Sequence, residues 1–436
     1  MPILAIDVGT SSVKSAILDV ATGEPLAEPQ KHGYPIDSPT RDAFQVPADR
    51  LREAVWHSAQ HAVANFSDPA AIEGIGLSCL MPALVLLDKK DQVLQPIWLH
   101  LDRRSRGVAK QVLQDVGDAF LHSCGNRPLP GGMSVLCYAQ MLKEHPDLYS
   151  DTRWYLHANG WMALLMTGER RFDLANASFT GLFDTMKTRN WSATWCEYFH
   201  IEPDRLPPVV CGSTTVGGLL PQVAKEWGLP AGLPVKIGTA DTSSAMLSAK
   251  MKTGDMLHSV GTTQVLGTLI DNPKPSAKRL TRLFGVGDQY VYVSHNPVGG
   301  SALNWIYELC FKDYSKDDFF AKVIFEHLER ATTIALDPPY LGGDRLEIDE
   351  KYAHFTNLNL ATRREDLLAA VLQGIVRGHH NAFAALEVPE EEIHRIILTG
   401  GGCDIVARMI PEYHHRQLET IDEGAMRGVA RLFDYP

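Results

Sequence analysis

The first apolar run, residues 3–6 (Ile-Leu-Ala-Ile), stops at Asp7, Gly9 and Thr10, and alternation resumes through Val13, Ser15, Ile17 and Leu18 before Thr22-Gly23. Two short apolar runs around a glycine-containing turn predict a β-hairpin. Residues 47–66 carry helical periodicity, with Pro47 near the start, where its fixed φ suits a first turn. Residues 72–77 and 83–87 read as strands. Residues 105–121, 135–144 and 158–167 read as helices, the last ended by Gly168. A short hairpin is expected over 180–192 and a helix over 219–227, stopped by Gly228 and Pro230.

The second half opens with a near-repeat of the first. Val260-Gly261-Thr262-Thr263 lies in an apolar stretch, 256–270, as Val8-Gly9-Thr10-Ser11 lies in the first hairpin; each stretch ends near an acidic turn residue, Asp271 and Asp19. Two such hairpins half a chain apart suggest a duplicated domain, although the shared motif is short enough to recur by chance. Further along, a strand is predicted at 290–294 and helices at 301–311, 315–330 and 363–385. The buried strand 396–398 then runs into Thr399-Gly400-Gly401-Gly402, and a helix at 423–432 closes the pattern. The Gly- and Pro-rich 229–234 sets a domain boundary near 236, giving domains 1–236 and 237–436. A chain of 436 residues supports this, since one hydrophobic core seldom extends past about 250–300 residues.

Composition narrows the partners. Hydrophobic residues make up 45% and charged residues 21%, an ordinary globular mix. The formal net charge of -11 argues against nucleic acid or an anionic membrane as partner, since either requires a basic face. Cysteines number seven, an odd count, and none forms a C-x-x-C pair, so reduced, mostly buried thiols are expected. No apolar stretch approaches the ~20 residues of a membrane span and no basic leader precedes the first strand, so a cytoplasmic location is expected.

Three turns and one acidic residue carry candidate chemistry. In Asp7-Val-Gly-Thr-Ser-Ser-Val-Lys14, Gly9 lets backbone N–H groups approach an anion, and Thr10, Ser11 and Ser12 add hydroxyls. Asp7, at a strand end, can face the Mg²⁺ carried by a nucleotide, a metal that keeps waters while bound by one or two carboxylates plus phosphates. No G-x-x-x-x-G-K-[ST] and no protein-kinase motif set is present. Asp241, in Gly238-Thr-Ala-Asp241-Thr-Ser-Ser, ends a strand and opens a helix; it suits a helix cap and a proton-accepting base equally. Gly261-Thr262-Thr263 is a second candidate phosphate turn. Gly400-Gly401-Gly402 offers a flat surface for a base or ribose. The pairs His379-His380 and His414-His415 read as surface or core residues, because adjacent helical positions do not share a face.

In order along the chain, these motifs resemble the FGGY family of carbohydrate kinases. The likeness extends to Gly76–Asp88, Leu101-Asp102-Arg103-Arg104, Leu165-Met-Thr-Gly168, Phe183-Asp184, Trp191-Ser192 and Pro339-Tyr-Leu-Gly-Gly-Asp-Arg345. The resemblance implies an α/β fold of two actin-like (ribonuclease H-like) lobes, shared with actin and Hsp70-type ATPases, with a cleft between them. It also implies ATP-dependent phosphorylation of a small sugar or polyol, xylulose-like, with Asp241 as general base. Asp7 would help hold the Mg²⁺ of MgATP. Gly9, Thr10, Ser11 and Ser12 would grip the phosphates from one lobe and Gly261, Thr262 and Thr263 from the other. Gly400, Gly401 and Gly402 would meet the adenosine, and Met81, Asp102 and Arg104 the sugar. Assembly as a homodimer is left open.

The chain departs from the family in three places. Leu80-Met81-Pro82-Ala83 stands where xylulose kinases usually read Gln-Met-His-Gly, which removes polar contacts to the sugar. His100-Leu101 replaces the familiar Trp-Asn before Asp102. After the adenosine glycines, Cys403-Asp-Ile-Val leads quickly to the last helix. A catalytically weak ATP- or sugar-binding regulator on the same fold is therefore the alternative reading.

Overall fold

The structure is a computed structural model describing residues 1–342 and 345–435. Gly343 and Asp344, two residues of the expected Pro-Tyr-Leu motif, lie outside the described residues.

Two six-stranded sheets dominate. In the first, the strands Pro2–Val8 and Ser12–Asp19 form the predicted hairpin, with Asp7 opposite Lys14 and Val8 opposite Val13. Gln30–Gly33 extends it antiparallel on one side. On the other side Ile75–Cys79 and then Pro234–Ala240 run parallel to the first strand, and Thr215–Gly218 closes the edge. The second sheet repeats this plan. Asp255–Val260 and Gln264–Ile270 form a hairpin, Tyr290–Asn296 extends it antiparallel, and Arg395–Thr399 and Gln417–Ile421 run parallel on the far side. Leu280–Leu283 adds an antiparallel edge strand. Three antiparallel strands followed by two parallel ones, in the same connectivity, occur twice. The repeat seen in Val-Gly-Thr is thus a repeat of topology, and the molecule is an α/β protein of two sheet-containing lobes. A smaller sheet of Gln45–Val46, Ile97–Leu99, Ala83–Leu87 and Trp154–His157 is inserted in the first lobe.

Strands at the centres of these sheets are buried on both faces, which is why they read as continuous apolar runs rather than alternating ones: Ile3, Leu4, Ala5 and Ile6 are fully covered. The division expected between 236 and 237 falls inside Pro234–Ala240, a strand that belongs whole to the first sheet. The sequence reading differs from the structure in three further places. The helix expected over 105–121 breaks at Gly117, at φ +53°, into Arg106–Val116 and Ala119–Cys124. The helix at 315–330 splits around a π turn, Phe319–Val323. The hairpin expected over 180–192 is a single bridge between Phe183 and Trp191.

The lobes meet where the helix Asp241–Ser248 crosses the helix Gly424–Arg431. These occupy equivalent positions, each following the outer parallel strand of its sheet. The backbones approach closely because Gly428 has no side chain: a Cβ there would sit 1.7 Å from the Ser244 carbonyl oxygen. No helix among the described residues is long and apolar enough to cross a membrane.

Candidate functional site

Each candidate turn is fixed by its own backbone. In the first, Gly9 N–H donates to the Ser12 carbonyl (3.0 Å), and Tyr34 N–H donates to that of Ser11 (2.9 Å). The Tyr34 hydroxyl donates to the Gly9 carbonyl. In the second, Gly261 N–H donates to the Thr263 carbonyl (3.1 Å), while Gly300 N–H and Ser301 N–H, from the start of the helix Gly300–Cys310, donate to Gly261 and Thr262 (3.0 Å each). In the third, Gly402 N–H donates to Val260, the residue just before the second turn (3.2 Å). These bonds hold each turn in shape without a ligand, which lowers the entropy lost on binding.

A cavity of about 220 Å³ lies between the lobes. Thr10 from the first turn and Thr262 and Thr263 from the second both line it, as do Met81 and Asp241. A second hollow of about 190 Å³ adjoins it, sharing Thr262 and lined by Gly261, Gly299, Gly300, Gly401, Gly402 and the apolar side chains of Leu303, Ile375 and Ile405. A flat, glycine-walled, apolar hollow suits a planar ring, and it opens beside the turn that suits phosphates. Gly299, Gly300 and Asn304 belong to it and were missed; the adjacent glycines after the strand 290–294 were the available signal.

Asp241 is the first residue of its helix rather than the residue before it. Its Oδ1 accepts from Thr242 N–H (2.6 Å) and from the Thr242 hydroxyl (3.0 Å). Among the described residues, Oδ2 has no hydrogen-bond partner. Gly238 allows this strand end to exist: at φ +77°, a Cβ would lie 1.7 Å from the Leu77 carbonyl oxygen, so the strand crosses its neighbour only without a side chain. Asp7 accepts from the Ser78 hydroxyl through Oδ1 (2.8 Å). Burial, helped by the nearby carboxylates of Asp241 and Glu423, pushes its carboxyl up to about 7, against the pull of Ser78 and Lys14. A half-buried carboxylate facing two others is short of positive charge, a deficit that a divalent cation brought on a nucleotide would fill. Among the described residues no cluster of three or more His, Cys, Asp or Glu could hold a metal without such help.

Two predicted contacts are not made. Asp102 is fully buried and does not line the cavity. Its Oδ2 takes Phe44 N–H (2.9 Å) and Arg104 Nη2 (2.7 Å), and its Oδ1 takes Arg104 N–H (3.0 Å). The Arg104 guanidinium stacks on Trp98, 3.4 Å from the ring centroid, and also donates to Gln45. This pair clamps the loop after Ile97–Leu99 instead of facing a ligand. The adjacent residues take the cavity positions: His100 lines it, as do Arg282, His295 and Arg345. None of these four was singled out for a role in the sequence, because each comes from a loop or strand with no motif spacing to the others. Ser11 and Ser12 close their turn through backbone carbonyls and do not line the cavity. Gly400, at φ +102°, shapes the third turn rather than lining the hollow.

Comparison with known proteins gives a consistent result. The family model for the N-terminal domain of the FGGY family of carbohydrate kinases matches residues 2–248. A xylulose kinase of Bacillus subtilis (strain 168) is 26% identical over 409 residues, covering 92% of this chain and 80% of that protein. A gluconokinase of the same organism is 24% identical over 425 residues, covering 91% and 79%. The crystal structure of xylulose kinase from Rhodospirillum rubrum superposes with a TM-score of 0.88 at 21% identity, covering 100% of this chain and 89% of that one.

Proposed function

Because the chain belongs to the FGGY family of carbohydrate kinases, we propose that it transfers the γ-phosphate of MgATP to a hydroxyl of a small sugar or polyol, with Asp241 as the general base. One observation carries this reading: an aspartate with an uncommitted Oδ2 shares a single cavity with hydroxyls from two opposed turns, Thr10 on one lobe and Thr262 and Thr263 on the other. The nucleotide would lie with its ring in the glycine-walled hollow and its phosphates across Gly261 and Thr262. Asp7 would meet the metal that travels with it. The acceptor would enter beside Met81 and present a hydroxyl to Oδ2.

The chemistry needs little more than this. Phosphoryl transfer depends on in-line positioning and on neutralising charge spread over the equatorial oxygens. Thr242 holds Oδ1, so the carboxylate cannot rotate, and Oδ2 remains to take the acceptor's proton as the oxygen attacks phosphorus. Closure of the lobes about the Gly428 crossing would exclude water and suppress wasteful hydrolysis. We assign the lobe division to the segment between Ser248 and Asp255, so that the strand carrying Asp241 stays with the first sheet. A location in the cytoplasm is consistent with such an activity.

The test is acceptor-dependent ADP release across ketoses, polyols and aldoses. An active acceptor is expected, and Asp241→Asn is expected to lower kcat by about 10²–10⁴-fold, the usual contribution of a positioned base, with little change in stability. Ligand binding without turnover for every acceptor would replace this reading with a catalytically weak binding regulator.

A further inference from the structure

Among the described residues, three charged groups line the cavity: Asp241, Arg282 and Arg345. Arg282 is 2% exposed. Its Nη1 donates to the Ser243 hydroxyl (2.5 Å) and the Leu283 carbonyl (3.2 Å), and its Nη2 is buried without a partner. Arg345 Nη2 donates to His100 Nε2 (2.9 Å), and its Nε is likewise buried without a partner. No carboxylate among the described residues lies within 4.0 Å of either guanidinium. Desolvation pushes both down to about 10, helped at Arg345 by the nearby Arg103, and only partly offset by Asp241 and, for Arg282, also by Asp173. A buried guanidinium held by neutral partners alone is costly, and proteins usually pair it.

The unmet capacity in the cavity is donor capacity. His100 Nε2 accepts from Arg345, so its unpartnered Nδ1 carries the proton. Burial, with Arg345 and Arg103 nearby, holds the His100 ring neutral. Arg282 Nη2, Arg345 Nε and His100 Nδ1 all await an acceptor atom, the buried Nδ1 of His295 also lacks a partner, and Asp241 is the one carboxylate among the described residues lining the cavity.

The two arginines occupy different ends. Arg345 also lines a hollow with Thr262 and Thr263, beside the phosphate turn. Arg282 sits on the outer strand Leu280–Leu283, opposite Val291, which in turn pairs with Leu269. Leu269 is five residues beyond Gln264, the first residue after the turn, or about 17 Å along the strand. Phe179, Leu280 and Val293 are among the apolar residues that line the same cavity. The Arg282 backbone therefore stands away from the phosphate turn, and its guanidinium reaches back to Ser243 on the helix that Asp241 opens.

We propose that the acceptor is a sugar acid, a polyhydroxylated carboxylate whose carboxylate group docks on Arg282 while a hydroxyl further along its chain reaches Asp241. This rests on the kinase reading above and specifies its substrate class. A carboxylate oxygen can take the unpartnered Nη2, and one negative charge offsets the desolvated cation. The replacement of two polar residues by Leu80 and Pro82 fits an acceptor held at its acidic end. Arg345 is left to meet the transferred phosphoryl group.

The experiment compares kcat/KM for five- and six-carbon aldonates, the alditols and ketoses of the same length, and the corresponding aldose phosphates. Aldonates are expected to exceed their neutral counterparts by at least 100-fold. Arg282→Gln is expected to bring that ratio close to one, chiefly through the aldonate KM, and Arg282→Lys to restore part of it. Thermal unfolding checks that both variants fold. Titration calorimetry of the wild-type protein with aldonate alone provides a readout that does not depend on turnover. Neutral acceptors used as well as acids would overturn the proposal and leave the kinase reading intact. Preference for the phosphate esters would overturn the carboxylate assignment. A uniform loss of kcat on all acceptors in Arg282→Gln, with a shifted pH profile, would make Arg282 a positioning residue for Asp241 instead. Aldonate binding without turnover in any condition would support the site and refute the kinase reading.

Discussion

Asp7 is held in a setting that disfavours its charge, so Asp7→Asn should stabilise the free protein. Asparagine keeps the shape and can still accept the Ser78 hydroxyl bond, so packing is preserved. In the unfolded chain the carboxyl ionises near its ordinary value of 3.8; in the folded chain burial and the neighbouring acids raise this to about 7. Between these values the native state holds a proton that the unfolded state has released, so native stability falls as pH rises through this window and levels off above 7. At about 1.4 kcal/mol per unit, the full span corresponds to a penalty on the order of 4 kcal/mol, absent from the variant. Urea unfolding of both proteins at pH 4.5, 6 and 8 measures it. The difference should be small at pH 4.5, grow to a few kcal/mol in favour of the variant at pH 8, and shrink when MgATP is added to the wild type. A difference that stays constant across pH, or one that favours the wild type at pH 8 without nucleotide, would refute the reasoning.

Other consequences are open to direct measurement. Asp102→Asn leaves Arg104 without its buried partner and should lower stability by about 3–5 kcal/mol, with acceptor KM in the surviving folded protein nearly unchanged. Gly428→Ala pushes a methyl into the Ser244 carbonyl and should cost at least about 1–3 kcal/mol in denaturant unfolding. Thr262→Val removes a hydroxyl shared by the cavity and the adjoining hollow; it should raise the KM for nucleotide more than the KM for acceptor in steady-state kinetics.

Much of the frame was legible because it depends on short-range rules. The hairpin around Gly9, the helix ending at Gly168 and the strand Ala83–Leu87 follow from periodicity and glycine placement. The duplication was visible only as a three-residue echo, since what repeats is strand order rather than residue identity. The strand Gln417–Ile421 escaped notice because, at the edge of its sheet, it is largely exposed and polar. The three turns could be read as candidates since each is contiguous. The cavity wall could not: His100, Arg282, His295 and Arg345 come from four separate segments, and only the fold makes them neighbours. Asp102 and Arg104 misled for the opposite reason. Being close in sequence, they bond each other and clamp a loop, and neither lines the cavity.

The helix Gly424–Arg431 packs back onto the opening hairpin and the strand Ile75–Cys79. Arg431 donates to the Val20 carbonyl (3.1 Å), and Val429 and Phe433 fill the groove left by Gly74 and Gly76. The cover of the first sheet is thus completed by a helix from the far end of the sequence. A fragment of residues 1–248 would lack its own lid and expose an apolar trough, so proteolytic or genetic halving should yield insoluble pieces, whereas two co-expressed pieces could reassemble by clasping this helix.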